Sequence, residues 1–231
     1  MDLLQGKTGL VVGVANERSL AWGIARALHG AGARLAFTYQ GEPFEKRVRP
    51  LAEQLDSPLL ESCDITDEDQ VQRVIDRCRE VLGGLDLLVH AVAYADKSTL
   101  QGDYLEVSKS QFLQAMEVSA YSLTALCRIA RPILRPGAGV VTLTYMGAER
   151  VVPNYNVMGV AKAALEASVR YLANDLGPAG VRVNAISAGP VKTLSASAVS
   201  DLSSMLKRTA ERAPLRRNID LDDVGRAAVF L

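Results

Sequence analysis

Short β-branched runs alternate with longer amphipathic stretches along this whole chain, and no other feature narrows the available folds as far. Thr8–Val14, Arg34–Tyr39, Leu59–Cys63, Leu85–His90, Gly139–Tyr145 and Val181–Ser187 read as strands. Most are continuous in apolar residues, the pattern of strands covered on both faces. Between and after them, Leu20–Gly30, Glu42–Leu55, Asp67–Val81, Ser108–Leu134, Tyr155–Leu176 and Leu221–Leu231 carry helical patterns. Such alternation implies right-handed βαβ units and an α/β fold with a doubly wound parallel sheet. A chain of 231 residues with no visible linker makes this a single domain, and 48% hydrophobic residues suffice for its core. The last helical pattern ends at Ala227–Leu231 without a cap or a following strand, so a further strand beyond Leu231 is expected.

Composition removes several function classes. Acids and bases balance at 26 each, so no global charge draws the chain to nucleic acid or an anionic membrane. Its three cysteines, Cys63, Cys78 and Cys127, are scattered and lack CxxC spacing, which supports neither a disulfide framework nor a zinc site. No metal is expected, and the thiols suit burial in a reducing compartment. There is no basic-then-apolar start and no apolar run near 18 residues, so the expectation is a soluble, cytoplasmic protein.

Chemistry concentrates in TYMGAERVVPNYNVMGVAK, which holds Tyr145, Tyr155 and Lys162. Six residues separate Tyr155 from Lys162, about two helical turns, so both project from one face of a helix. An ammonium beside a phenol favours the phenolate and brings the hydroxyl towards a usable proton donor. Chance pairing on a surface helix remains the alternative for this spacing taken alone.

The turn after the first strand, GVANERSLAWGIA, lies where a doubly wound sheet rests a pyrophosphate on a helix N-terminus. Gly13 opens the turn, but Ser19 and Ala21 stand where later glycines often occur; Ser19 can donate to a phosphate or simply cap the helix. Asp64, with Ile65 after it, can accept from an adenine amino group, or cap the helix starting near Asp67. Gln40 ends the second strand where a 2′-phosphate is read, and its neutrality favours NADH over NADPH, although Lys46 and Arg47 are near. His29, His90 and Ser187 have no partner at a telling offset, Trp22 reads as packing, and Glu211–Asn218 reads as a solvated turn.

These segments, with VRVNAISAGPVKTL, resemble the enoyl-acyl-carrier-protein reductases of bacterial fatty-acid synthesis, within the short-chain dehydrogenase/reductase superfamily. The resemblance covers essentially the whole chain and implies a Rossmann-like fold. Carbonyl-reducing relatives place the catalytic Tyr four residues before the Lys and a Ser thirteen before that Tyr. Here those positions hold Met158 and Tyr145, so both ketone-reduction groups are missing.

The resemblance implies hydride transfer from NADH to a trans-2-enoyl thioester in fatty-acid elongation. Tyr155 then stabilises the enolate oxygen, Lys162 holds the nicotinamide ribose, and Tyr145 shapes the pocket. It also implies Gly13, Ser19 and Leu20 at the pyrophosphate, Asp64 and Ile65 at the adenine, and Ala95 beside the substrate. Val191, Lys192, Thr193, Leu194 and Ser195 cover the carboxamide. Ala93 replaces a usual glycine next to the cofactor ribose. Val199–Leu206 borders the portal with neutral residues, positive charge appearing only at Lys207 and Arg208, so a coenzyme A thioester stays possible beside acyl carrier protein. The implied assembly is a homotetramer. A carbonyl reductase using Tyr155, or a non-catalytic NAD-binding protein, remains as an alternative.

Overall fold

The computed structural model describes residues 2–193 and 202–231. Six strands form one parallel sheet in the order β3–β2–β1–β4–β5–β6. They are β1 (Thr8–Val12), β2 (Arg34–Tyr39), β3 (Leu60–Ser62), β4 (Leu85–His90), β5 (Leu134–Thr144) and β6 (Arg182–Ser187). Eight α-helices accompany them among the described residues: α1 (Leu20–Gly30), α2 (Glu42–Gln54), α3 (Glu68–Leu82), α4 (Lys109–Met116), α5 (Ser122–Ala130), α6 (Asn156–Leu176), α7 (Leu202–Arg212) and α8 (Leu221–Phe230).

Period-two alternation within the strands divides the core in two. Leu10, Val12 and Leu88 face a cluster with Val71, Ile75, Leu123 and Leu165, which puts α3, α5 and α6 on one side of the sheet. Val11 and Val89 face Ile24, Leu28, Val48 and Val224, which puts α1, α2 and α8 on the other. The continuous apolar strands are therefore apolar because both faces are covered. Successive strands are added to one side of β1 as far as β3 and to its other side from β4 on, and the crevice at the carboxyl ends of β1 and β4 is the switch point where doubly wound sheets bind ligands.

Three expectations change. The single helix expected over Ser108–Leu134 is two helices, α4 and α5, joined by a π turn at Glu117–Tyr121, and α5 passes through a 3-10 turn at Arg131–Ile133 into β5. Apolar periodicity does not register one extra residue per turn, so the break leaves no signal in the pattern. β5 begins at Leu134 rather than Gly139, with an irregular register against β4 between Leu85 and Leu87. Asp64 does not cap α3; Asp67 does, accepting from the amides of Asp69 and Gln70 at 3.0 and 3.1 Å. Trp22 and all three cysteines are buried, and burial pushes the Cys63 thiol up to about 11. Among the described residues no helix is long and apolar enough to cross a membrane, and no group of acids, histidines and cysteines could hold a metal.

Candidate active site

A cleft of about 920 Å³ opens over the switch point, and Gly13, Asp64, Ala95, Tyr155, Lys162 and Thr193 all line it. One half begins at Gly13, whose φ of 110° places it in backbone that side chains rarely adopt. A Cβ there would lie 2.2 Å from the carbonyl oxygen of Ala91 after β4, so only glycine lets the two strand ends approach. Ser19 is the N-cap of α1: its hydroxyl accepts from the Trp22 amide at 3.3 Å and donates to the Asn16 carbonyl at 2.7 Å. That proton is committed, so the donors left for an anion are the first-turn amides of Leu20 and Ala21, which no intrahelical carbonyl reaches.

Across the cleft, Asp64 receives Gln40 Nε2 at 3.0 Å on one oxygen, and the Thr66 amide and hydroxyl at 2.9 and 2.7 Å on the other. Burial pushes this carboxyl up, but the donors from Thr66 and Gln40 outweigh it and hold it below the usual carboxylate range. One lone-pair direction remains for an outside donor such as an exocyclic amine. Gln40 is thereby tied to Asp64 and brings no positive charge to this end.

The other half carries the phenols. Tyr145 and Tyr155 meet edge to face, with ring centroids 5.1 Å apart and planes at 70°, a favoured aromatic geometry. Gly147 makes room for this contact, since a Cβ there would meet the Tyr155 ring at 2.4 Å. The Tyr145 hydroxyl donates to the Met205 sulfur of α7 at 3.4 Å.

Here one expectation is overturned. The Tyr155 phenol is not lowered; the Lys162 Nζ donates to the Leu143 carbonyl at 2.7 Å. Burial first, and Tyr145 second, push the Tyr155 phenol well above its ordinary range. It is therefore a neutral O–H, suited to donating a hydrogen bond. Lys162 is itself buried, which pushes its ammonium down to about 8 against the opposing pull of Glu166. Glu166 lies one turn along α6, and its carboxylate accepts from the Thr144 hydroxyl at 2.6 Å. One of the three Lys162 N–H groups is used by Leu143, which leaves donors for a diol.

Beneath the cleft lies a hydroxyl–imidazole chain that sequence reading did not find. His90 is fully buried, with Nδ1 3.0 Å from the Thr142 hydroxyl and Nε2 2.8 Å from that of Ser122. Ser122 gives its only proton to the Val118 carbonyl at 2.7 Å, so His90 must donate from Nε2 and accept at Nδ1. Burial, and then the Lys162 charge, push this imidazole down to about 3, so it stays neutral. His90 is structural, as expected, but its partners lie 32 and 52 residues away. The neighbouring Ser119 accepts the Tyr94 amide at 2.9 Å and donates to the Tyr94 carbonyl at 3.0 Å, which holds the cleft wall after β4.

The structure thus gathers Gly13, Ser19, Leu20, Gln40, Asp64 and Ile65 along one cleft. It brings Ala93, Ala95, Tyr145, Tyr155, Lys162, Val191 and Thr193 to the rest of it. Lys192 is exposed and does not line the cleft. Leu194 and Ser195, and the portal segment as far as Asp201, lie outside the described residues. Leu100, Met158 and Met205 also line the cleft. Of these only Met158 was singled out by sequence, and only as the position of a missing phenol.

The sequence matches the family described as enoyl-(acyl carrier protein) reductase over residues 13–231. An enoyl-(acyl-carrier-protein) reductase (NADH) of Bacillus cereus is 52% identical over 233 residues, covering 100% of this chain and 91% of the relative. One of Rickettsia typhi is 51% identical, covering 99% and 88%. Among solved structures, the Bacillus cereus reductase with NADP+ and indole naphthyridinone superposes with a TM-score of 0.98 at 52% identity, covering 100% of this chain and 91% of that one. The reductase of Anaplasma phagocytophilum in complex with NAD gives a TM-score of 0.93 at 51% identity, covering 99% and 85%. This chain belongs to the enoyl-(acyl carrier protein) reductase family.

Proposed function

We propose a division of labour among the cleft residues of an NADH-dependent enoyl-(acyl-carrier-protein) reductase. The chain reduces the trans-2 double bond of an enoyl thioester during fatty-acid elongation. NADH, when bound, supplies the hydride. Reduction places negative charge on the thioester oxygen, and Tyr155, a buried and neutral phenol, donates to that oxygen as the charge appears. Tyr145 holds the Tyr155 ring edge-on and so limits where its hydroxyl can point. Lys162 keeps N–H groups for the ribose diol and supplies a nearby positive charge.

The first-turn amides of Leu20 and Ala21, opened by Gly13, take the pyrophosphate; Asp64 and Ile65 take the adenine. Ala93 borders the ribose, Ala95 borders the substrate, and Val191 and Thr193 cover the carboxamide. Gln40, uncharged and bound to Asp64, offers nothing to a 2′-phosphate, which supports NADH.

The carrier protein docks at α7, where Lys207 and Arg208 are exposed on the helix whose Met205 touches Tyr145. Exposed Tyr121, Val160 and Tyr171 on and beside α5 and α6 give apolar surface for a homotetramer. The setting is the cytoplasm.

The observation that carries this reading is the neutral Tyr155 phenol in one cleft with Lys162. The replacement Tyr155→Phe removes only the O–H. Turnover of an enoyl thioester should fall about 100-fold or more, with the NADH dissociation constant within roughly threefold of the parent. Unchanged turnover, or loss confined to NADH binding, rules out Tyr155 as the donor to the thioester oxygen.

A further inference from the structure

Tyr155 stands between two asparagines in left-handed backbone, Asn154 at φ 64° and Asn156 at φ 41°. Few residues other than glycine adopt that conformation, and asparagine does so at the least cost. Asn156 is also the first residue of α6, so the chain enters this helix through a conformation that its surroundings must hold in place.

Its own side chain does the holding. Asn156 Nδ2 donates to the Thr99 carbonyl and to the Gly102 carbonyl, each at 3.1 Å. Both amide hydrogens are spent, and the two carbonyls fix which end of the amide faces them. A capping side chain serves the amides of its own helix; this one instead reaches segments 57 and 54 residues back.

Thr99 lies in the short turn Lys97–Leu100 and Gly102 two residues past it; the turn's entrance is closed by Asp96, accepting the Ser98 amide at 2.8 Å and its hydroxyl at 2.6 Å. Leu100 packs with Met158 and Ala161 of α6, against Ala95 and Tyr155. Ala95, Lys97 and Leu100 line the cleft. Two parts of the cleft are thereby joined through one residue: the wall after β4 and the helix start that carries the phenol.

We propose that Asn156 is a positioning residue for the reduction, tying the wall Ala95–Leu100 to the start of α6 so that the thioester meets the Tyr155 hydroxyl at a set place. The proposal rests on Tyr155 being the group that faces the thioester oxygen. It assigns two separable parts to Asn156, a left-handed backbone that aims Tyr155 and an amide that holds the wall.

Three variants of the full chain separate these parts. Asn156→Gly keeps the backbone freedom and loses the tether. Asn156→Ala loses the tether and disfavours the backbone. Asn156→Asp keeps the shape but faces two carbonyl oxygens with a carboxylate. Each is measured for kcat and KM with a short 2-enoyl coenzyme A thioester, for NADH binding by fluorescence titration, and for thermal midpoint.

Asn156→Gly should raise the thioester KM about fivefold or more with kcat within roughly threefold. Asn156→Ala and Asn156→Asp should raise KM similarly and also lower kcat about tenfold, as expected when a reacting group is misplaced. NADH affinity should stay within about twofold in all three. A lower thermal midpoint with kcat and KM unchanged in all variants overturns the proposal, as does loss of NADH affinity in proportion to loss of turnover. Tyr155→Phe, run alongside, should lower kcat with little effect on KM. Failure there counts against the role of the phenol, while the KM effect of Asn156→Gly still reports on the tether.

Discussion

Buried Lys162 carries a pH dependence of both activity and stability. Lys162 must be protonated to contribute charge, and burial has brought its ammonium down to about 8 from the ordinary 10.5. The alkaline limb of kcat/KM should therefore fall near pH 8 in the free enzyme. Glu166 opposes the effect of burial, so removing its charge should move that limb to lower pH, by roughly half a unit to one unit. Asn or Ala would also break the bond from Thr144, but Glu166→Gln keeps an oxygen to accept it. A pH–rate profile of Glu166→Gln with an unshifted alkaline limb rules out this electrostatic role. The same depressed value has a stability sign. Between about pH 8 and 10.5 the unfolded chain holds the Lys162 proton that the native chain has released, so this contribution to stability rises with pH across that window. Below pH 8 the full cost of burying the charge is present. Lys162→Met should therefore lose turnover while its thermal midpoint below pH 8 equals or exceeds the parent's.

At the level of elements, the π turn between α4 and α5 and the crossing of α1 with α8 each depend on features with little sequence signature. The π turn directs the Val118 carbonyl to Ser122, and Ser122 to His90, so the neutral imidazole pins α5 to β4 and β5. With His90 held down to about 3, the unfolded chain takes up its proton first as pH falls from 6.5. Native stability should drop through the window from 6.5 to 3, by several kcal/mol from this one group. His90→Gln should weaken the protein at pH 7 and flatten the acid limb of its stability curve, which denaturant midpoints from pH 4 to 7 would measure. The α1–α8 crossing is close because Gly225 faces Gly23: a Cβ on Gly225 would lie 2.7 Å from the Gly23 carbonyl and from Ala27 Cβ. Gly225→Val should cost about 1–3 kcal/mol through overpacking. It should also weaken NADH binding, because α1 presents the first-turn amides of Leu20 and Ala21. Loss of stability with unchanged NADH affinity in the folded fraction would show that α1 does not transmit the shift.

For the whole molecule, what the sequence disclosed follows from what it encodes locally. Strands β2 and β4 and helix α1 matched their expected bounds because continuous apolar runs and amphipathic periods are properties of neighbouring residues. That Gly13, Asp64, Tyr155 and Lys162 share one cleft could be read because a doubly wound sheet places strand ends and one helix face at a common crevice. The tie from Asn156 to Thr99 and Gly102, the Ser119 clamp on Tyr94 and the path from Ser122 to His90 were not legible, since each joins segments 25 or more residues apart through a turn. The direction of the Tyr155 shift escapes the sequence for the same reason: a spacing of seven gives a shared face, not the burial by distant segments that pushes the phenol up. Charge presents the converse case, visible only in total. With 26 acids against 26 bases there is no net charge to attract an acidic carrier protein, so recognition must depend on a local group. Lys207 and Arg208 are exposed two and three residues past Met205, which touches Tyr145, so a partner held there lies beside the cleft mouth. Lys207→Glu combined with Arg208→Glu should raise KM for a carrier-bound enoyl thioester about tenfold at low salt, mainly through slower association. The thioester of an uncharged pantetheine fragment should be reduced with KM and kcat within about twofold of the parent, since no charge is being read. Added salt should raise the parent's KM for the carrier-bound substrate towards that of the variant, because exposed charges separated by water are screened. Equal effects on both substrates would instead place the two cations in the fold of α7 and leave carrier recognition to another surface.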